Sequence, residues 1–464
     1  MLASLDKGRL TLEEIHRFPS ALIENPDSLC WDTEVIFESL KKGVLLALEK
    51  KLTISSLSVD SWGVDYVLLD AAGNQLANPH HYRDKRTDAI FPKVREKIGD
   101  ESIFAETGIQ FMHFNTLYQL SAEDAETLKK ATLFLTIGDY FNFLFSGVAV
   151  IDQSLASTTQ LYNPNRREWS KKLIELADLP FPIFPKIVPS GFVLGKIRNE
   201  ISTQPIQVVA TCSHDTGAAI AAVPASAEED WAYLSSGTWS LLGVELPVPN
   251  ISEQVRHYNF TNEAGFGGTT RFLKNIVGLW ILQECRRTWA LTNHDYSYAW
   301  LMEQAASAEP LRSLIHPSDA RFGKPGDMPA KIVAYCQETG QPAPTTPGQF
   351  TRCILESLAL LYRQTIKEIE LLTDRRLKRI HIVGGGSQSE LLNQFSADAT
   401  GLTVLAGPVE ATAIGNVLVQ AIALGHLDSL ATARKLVAES FSVITYHSNH
   451  SSAWQDAYTK FTNL

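Results

Sequence analysis

The chain opens on alternation. Across Met1–Phe18 the runs MLAS and LTLEEIHRF alternate apolar and polar positions on either side of Asp6-Lys7-Gly8. Period-two patterning broken by a turn tripeptide predicts a β-hairpin. The period then changes. Ile36, Leu40, Val44 and Leu48 recur at helical spacing behind Asp32, a good N-cap residue, so an amphipathic helix is expected over about 33–50. Short strands are expected at Ile54–Val59 and Asp65–Leu69, the second closed by a turn at Asp70–Asn74.

Farther on, the apolar stretch Ala131–Ile151 is long enough to raise the question of a membrane span. Asp139 and Asn142 near its middle, with Gly138 and Gly147, favour a buried helix of a globular core. The pattern loosens around 161–192, where Pro180, Pro182, Pro185 and Pro189 make a stretch that cannot be regular helix. Val208–Thr211 reads as a buried strand feeding a helix over Gly217–Val223, and Trp231–Ser235 as a strand ending in Ser-Gly-Thr. A helical stretch is expected from Leu273, a long helix over about 348–372 and a strand at Lys378–Val383, met at once by Gly384-Gly385-Gly386. A strand at Thr403–Leu405 and a helix at Ala411–Leu424 follow. Strands alternating with helices in both halves predict an α/β fold with ligands at the carboxyl ends of strands. A length of 464 residues suggests two domains, 1–223 and 224–464.

Composition narrows the function. The chain is 45% apolar and 20% charged, ordinary for a globular protein. A net charge of −10 leaves no basic surplus for a nucleic-acid backbone. The five cysteines, at 30, 212, 285, 336 and 353, include no C-x-x-C, which argues against zinc and against a disulfide framework; a Cys336–Cys353 pair is disfavoured for a cytosolic thiol. No signal-peptide pattern opens the chain, so the expected setting is the cytoplasm, with no nucleic-acid and no membrane partner.

The candidate chemistry sits where strands end. No G-x-x-x-x-G-K-[ST] loop, H-R-D loop, H-E-x-x-H or G-x-S-x-G occurs, which excludes several enzyme classes. In Ala210–Gly217, Asp215 lies between a buried strand and a helix start. There it either caps the helix or accepts a hydroxyl proton during phosphoryl transfer, and one residue can do both. Ser235-Ser236-Gly237-Thr238 follows an apolar strand and can turn successive N–H groups toward an anion, or form an ordinary tight turn. Gly384-Gly385-Gly386 permits close approach of backbone to a nucleotide. Trp62-Gly63 could wall a sugar site or form a bulge with a core Trp, and Arg83–Thr87 reads as a solvated helix start.

The order of these segments resembles the FGGY family of carbohydrate kinases. It is carried by SVDSWGVDYVLLD (58–70), HYRDKRT (81–87), TGIQFMHFNTLYQL (107–120), SHDTGAAI (213–220), YLSSGTWSLLG (233–243), LKNIVGLWILQE (273–284), HIVGGGSQSELLNQ (381–394) and GPVEATAIGN (407–416), nearly the whole chain. The resemblance implies two actin-like, ribonuclease H-like domains with a cleft between them, the N-terminal one for sugar and the C-terminal one for nucleotide. It implies Asp215 as proton acceptor, with Gly63, His214, Thr216 and Asn275 as further sugar contacts. Thr238, Gln283 and Gly385 are the implied nucleotide contacts. The implied reaction moves the γ-phosphoryl of ATP, with Mg²⁺, to O1 of a small ketose, L-rhamnulose, through ligands of the metal that are left open. L-fuculose or another ketose, a catalytically impaired sugar-binding homologue and an actin-like filament protein are the rival readings. Oligomeric state is left open between monomer and dimer. Members of the family begin with a strand and an Asp-Leu-Gly-x-x-x-Gly-Arg type phosphate loop, whereas this sequence starts at MLAS, where that segment should end. The expectation is a chain lacking its first strand and phosphate loop, through an internal start or a real truncation, with low stability and little activity.

Overall fold

A computed structural model describes residues 1–26, 28–226, 229–449 and 451–464. The chain folds as two compact units, and both are discontinuous in sequence. The first comprises Met1–Ala222, Glu245–Phe272 and Thr412–Ser440; the second comprises Val223–Val244, Leu273–Ala411 and Phe441–Leu464.

The first unit opens with the expected hairpin. Leu2–Asp6 pairs antiparallel with Arg9–Glu13, and Asp6 faces Arg9 across the turn. Lys7 and Gly8 both take positive φ, 48° and 73°, the geometry a two-residue hairpin loop needs to match strand twist. Helix Thr33–Glu49 starts where the sequence places it, because the Asp32 carboxylate accepts the Val35 N–H. Strand Gln207–Ala210 is central to a small sheet, antiparallel to Phe192–Lys196 and parallel to Ser56–Leu57.

The stretch Ala131–Ile151 is not one helix. Leu133–Thr136 is a strand, antiparallel to Tyr66–Leu69, and only Ile137–Ser146 is helical. Pairing with a fully buried strand outweighs local helical propensity, and Gly147, left-handed at φ 80°, ends the helix. Among the described residues no helix is long and apolar enough to cross a membrane.

In the second unit Trp231–Ser236 runs parallel to Arg379–Val383, which runs parallel to Thr403–Ala406; Ile444–Tyr446 closes that edge antiparallel. Helix Pro347–Thr373 backs the sheet's core with a buried face that includes Phe350, Ile354, Leu358, Leu361 and Ile369. Thr346 caps it and Pro347 occupies the first turn, where a missing N–H costs nothing. The helix expected from Leu273 is displaced. Thr270–Val277 is a strand, and the helix begins at Trp280. The spacing of Leu273, Ile276 and Trp280 imitates a helical face, but a run buried on both sides takes the extended form when neighbouring strands are there to satisfy its backbone. All five cysteines are buried and unpaired.

Candidate active site

Of the residues expected to meet the sugar, Gly63, His214, Asp215 and Thr216 all belong to the first unit, near the end of strand Gln207–Ala210. Helix Asp215–Ala221 starts at Asp215, and the residue in the N-cap position is His214, whose side chain makes no capping bond. The simple capping account of Asp215 therefore fails in part: its Oδ1 accepts the adjacent Thr216 N–H and, at 3.1 Å, the Thr216 hydroxyl. Its side chain is 44% exposed, so the carboxylate has room to meet a ligand.

The backbone around it is fixed from below by buried acids. Asp152 accepts the N–H of Ser213 at 3.1 Å and the N–H of Ser154 at 2.9 Å, and Ser190 Oγ donates to it at 2.8 Å. The Ser154 hydroxyl accepts the His214 N–H at 3.0 Å. Asp139 lies behind, held by the Thr136 hydroxyl at 2.6 Å and the Asp152 N–H at 3.1 Å. Burial pushes both carboxyls up, and the charge of Asp152 raises Asp139 further.

The Trp62-Gly63 turn belongs to the same neighbourhood. Ser61 N donates to Ser213 O and Asp215 N donates to Ser61 O, each at 2.8 Å. Trp62 is held by its indole N–H, which donates to Asp65 Oδ2 at 2.9 Å; Trp31 donates to the same oxygen at 2.7 Å and Gln119 to Oδ1 at 2.8 Å. Burial still dominates and pushes the Asp65 carboxyl up to about 6. Gly63 is packed tightly, since a Cβ there would stand 2.9 Å from Thr158 Oγ1. Arg86, expected on a solvated helix start, instead pairs with Glu123 at 2.8 Å and lies 3.2 Å from Tyr66 Oη.

Several neighbours of these residues were given no role by the sequence reading. Asn416 donates to Asp60, whose carboxyl burial pushes up to about 7, with the nearby Asp215 charge adding to it. Both line a largely apolar cavity of about 760 Å³ in the first unit. Glu263 and Arg271 lie against His214 and are equally silent in sequence, except that an Arg inside an apolar strand is itself unusual.

The nucleotide-side residues lie in the second unit. Parallel pairing of Trp231–Ser236 with Arg379–Val383 brings Ser236-Gly237-Thr238 and Gly384-Gly385-Gly386 to the same sheet end. A Cβ on Gly386 would stand 2.0 Å from Ser236 Oγ, so the two loops touch. The Thr238 hydroxyl donates to Gln283 Oε1 at 3.2 Å, and Thr238 O accepts the Gly278 and Trp280 N–H groups at 3.2 and 3.1 Å. Thr238 and Gln283 thus meet directly, and Gly385 lies in the loop whose Gly386 packs on Ser236. Asn275, expected on the sugar side, sits half-buried on strand Thr270–Val277 in the part that belongs to the second unit. Among the described residues no cluster of three metal-binding side chains occurs.

Two family models match this chain: the N-terminal domain of the FGGY family of carbohydrate kinases over residues 6–222 and its C-terminal domain over 232–424. The chain belongs to the FGGY family of carbohydrate kinases. This FGGY kinase is 42% identical over 470 residues to the rhamnulokinase of Bacteroides thetaiotaomicron, covering 100% of this chain and 96% of that one. It is 39% identical over 451 residues to the rhamnulokinase of Bacillus subtilis, covering 96% and 91%. Among solved structures its fold is similar to a ligand-bound xylulose kinase from Lactobacillus acidophilus, with TM-score 0.78, 16% identity and 96% and 91% coverage. A gluconate kinase from the same organism gives TM-score 0.79 at 16% identity, covering 98% and 93%. The FGGY kinase is accordingly a two-domain α/β phosphotransferase acting on a sugar hydroxyl.

Proposed function

We propose that this FGGY kinase is a rhamnulokinase, which transfers the γ-phosphoryl group of ATP to O1 of L-rhamnulose and so serves rhamnose breakdown. The observation that carries the substrate is likeness along the whole chain to proteins named rhamnulokinase, at 42% identity for the Bacteroides protein. The chemistry rests on the carboxylate of Asp215, exposed at a strand end on a backbone pinned by Asp152.

In this reading residues 1–223 carry the sugar, with Asn275 as a contact from beyond them, and 224–464 the nucleotide. Gly63, His214, Thr216 and Asn275 orient the ketose so that one hydroxyl meets Asp215. Thr238, Gln283 and Gly385 hold ATP, with the main-chain N–H groups of the glycine loop facing phosphate. As the sugar oxygen bonds to the γ-phosphorus, the bond to the bridging oxygen of ADP breaks and Asp215 accepts the hydroxyl proton. The transition state is loose, so alignment and charge neutralisation supply most of the acceleration. Mg²⁺ supplies part of that neutralisation when bound. The enzyme acts in the cytoplasm, as monomer or dimer, on its ketose and ATP alone.

A coupled ADP-release assay over L-rhamnulose, L-fuculose and other ketoses tests the assignment. The highest kcat/KM should fall on L-rhamnulose. A clear preference for another ketose would reassign the substrate, and sugar binding without ADP release would make the chain a binding homologue.

A further inference from the structure

Beneath the turn that carries Asp215 lies a charge to which the reaction above gives no role. Arg271 comes from strand Thr270–Val277, and its side chain is wholly shielded from water. A guanidinium in that setting is costly unless its N–H groups find acceptors. Nε donates to Ala264 O at 3.1 Å, and Nη2 lies 3.1 Å from Glu263 Oε2 and 3.0 Å from His214 Nδ1. The guanidinium carbon would be 3.6 Å from a Cβ on Gly217, which places it against the first turn of helix Asp215–Ala221.

The contact with His214 has a chemical consequence. Arginine offers donors only, so Nδ1 must accept. A neutral imidazole that accepts at Nδ1 carries its proton on Nε2. His214 Nε2 lies 3.5 Å from Asp215 Oδ1. Glu263 Oε2 is also 3.3 Å from Nδ1 and would draw a proton to that nitrogen if Arg271 did not hold it as an acceptor. The charged groups around the pair are therefore Arg271 and Glu263 behind His214, and Asp60 beside Asp215.

We infer that Arg271 is a positioning residue. Its guanidinium keeps His214 Nδ1 as an acceptor, so that the proton sits on Nε2, 3.5 Å from Asp215 Oδ1, beside the carboxylate that takes the sugar's proton. This rests on the reading of Asp215 as the general base. The His214 proton stays on Nε2 throughout; only the sugar proton moves, to Asp215. Glu263 balances the buried positive charge, and its own pull on Nδ1 is the competitor that Arg271 outweighs.

The test joins nitrogen-15 spectra of labelled histidine with pH profiles of kcat/KM. Wild-type enzyme should show His214 protonated on Nε2 alone; a proton on Nδ1 overturns the inference without any variant. Arg271→Met should lower kcat about 10–100-fold, change both KM values less than about threefold and move the acid limb upward by about one pH unit. Arg271→Lys should recover part of the kcat and part of the limb shift. Glu263→Gln removes the competitor, so it should keep the Nε2 tautomer and not raise the limb. A limb unmoved in folded Arg271→Met, or raised in Glu263→Gln, overturns the inference. If Arg271→Met does not fold, the wild-type spectrum and the lysine and glutamine variants decide. Asp215→Asn separates the two layers: wild-type kcat there would remove the general-base reading while leaving the tautomer result standing.

Discussion

Asp152 accepts the backbone N–H of Ser213 at 3.1 Å, and this bond fixes the segment that ends in Asp215. The same carboxylate takes the Ser154 N–H, while Ser154 Oγ in turn accepts the His214 N–H. A buried acid thus places Asp215, the proposed proton acceptor, through main-chain groups.

Asp152→Ala should therefore damage both stability and turnover. It leaves buried N–H groups without an acceptor, a loss of about 2–4 kcal/mol in all. Thermal melts should show a lower Tm, and kcat should fall more than the KM for sugar rises. A variant with unchanged kcat and a normal melting curve would show that the segment holds itself.

The setting of Asp215, between a buried strand and a helix start, was legible in the sequence. The apolar run Val208–Thr211 before it, the helix expected over Gly217–Val223 after it and the small residues between them all express local physics, and they match strand Gln207–Ala210 and helix Asp215–Ala221. The hairpin turn at Lys7-Gly8 and the Asp32 cap were legible for the same reason: each is decided by a few adjacent residues. Arg271, Glu263 and Asn416 were not legible, because what they touch lies far off in sequence, as in the pairing of Asn416 with Asp60. The strand at Thr270–Val277 was misread as helix because burial on both faces erases the period that separates the two. Leu133–Thr136 failed similarly, its strand character coming from its partner Tyr66–Leu69.

Asp215→Asn removes the proposed proton acceptor while keeping the shape of the side chain. The kcat should drop by about two to four decades with sugar affinity held within a few-fold. Calorimetry gives the affinity and the coupled assay gives the rate. An unchanged kcat would leave Asp215 only its local bonds to Thr216.

The glycine loop should report on nucleotide alone. A Cβ on Gly386 would meet Ser236 Oγ at 2.0 Å and force the two loops at that sheet end apart. Gly386→Ala should raise the KM for ATP about tenfold or more while the KM for sugar stays within about twofold. Gly415→Ala is the structural contrast. Its Cβ would stand 1.7 Å from the carbonyl oxygen of Ala218, a backbone atom that cannot step aside, so loss of folded protein is the expected result.

Asp60 makes the stability of the fold depend on pH. Burial, followed by the charge of Asp215, raises its carboxyl to about 7, while the hydrogen bond from Asn416 pulls the other way. In the unfolded chain an ordinary Asp ionises near pH ~4. Between these values the native state binds more protons than the unfolded one, so Asp60 makes stability fall as pH rises from about 4 to about 7. Below that window both states are protonated and the contribution disappears; above it the cost is fully present. Asp60→Asn keeps an oxygen for the Asn416 donor and carries no charge. Its Tm should exceed that of the wild type at pH 8, and the gap should close as the pH approaches 4. A constant gap across that range would mean that the buried carboxyl does not titrate with folding.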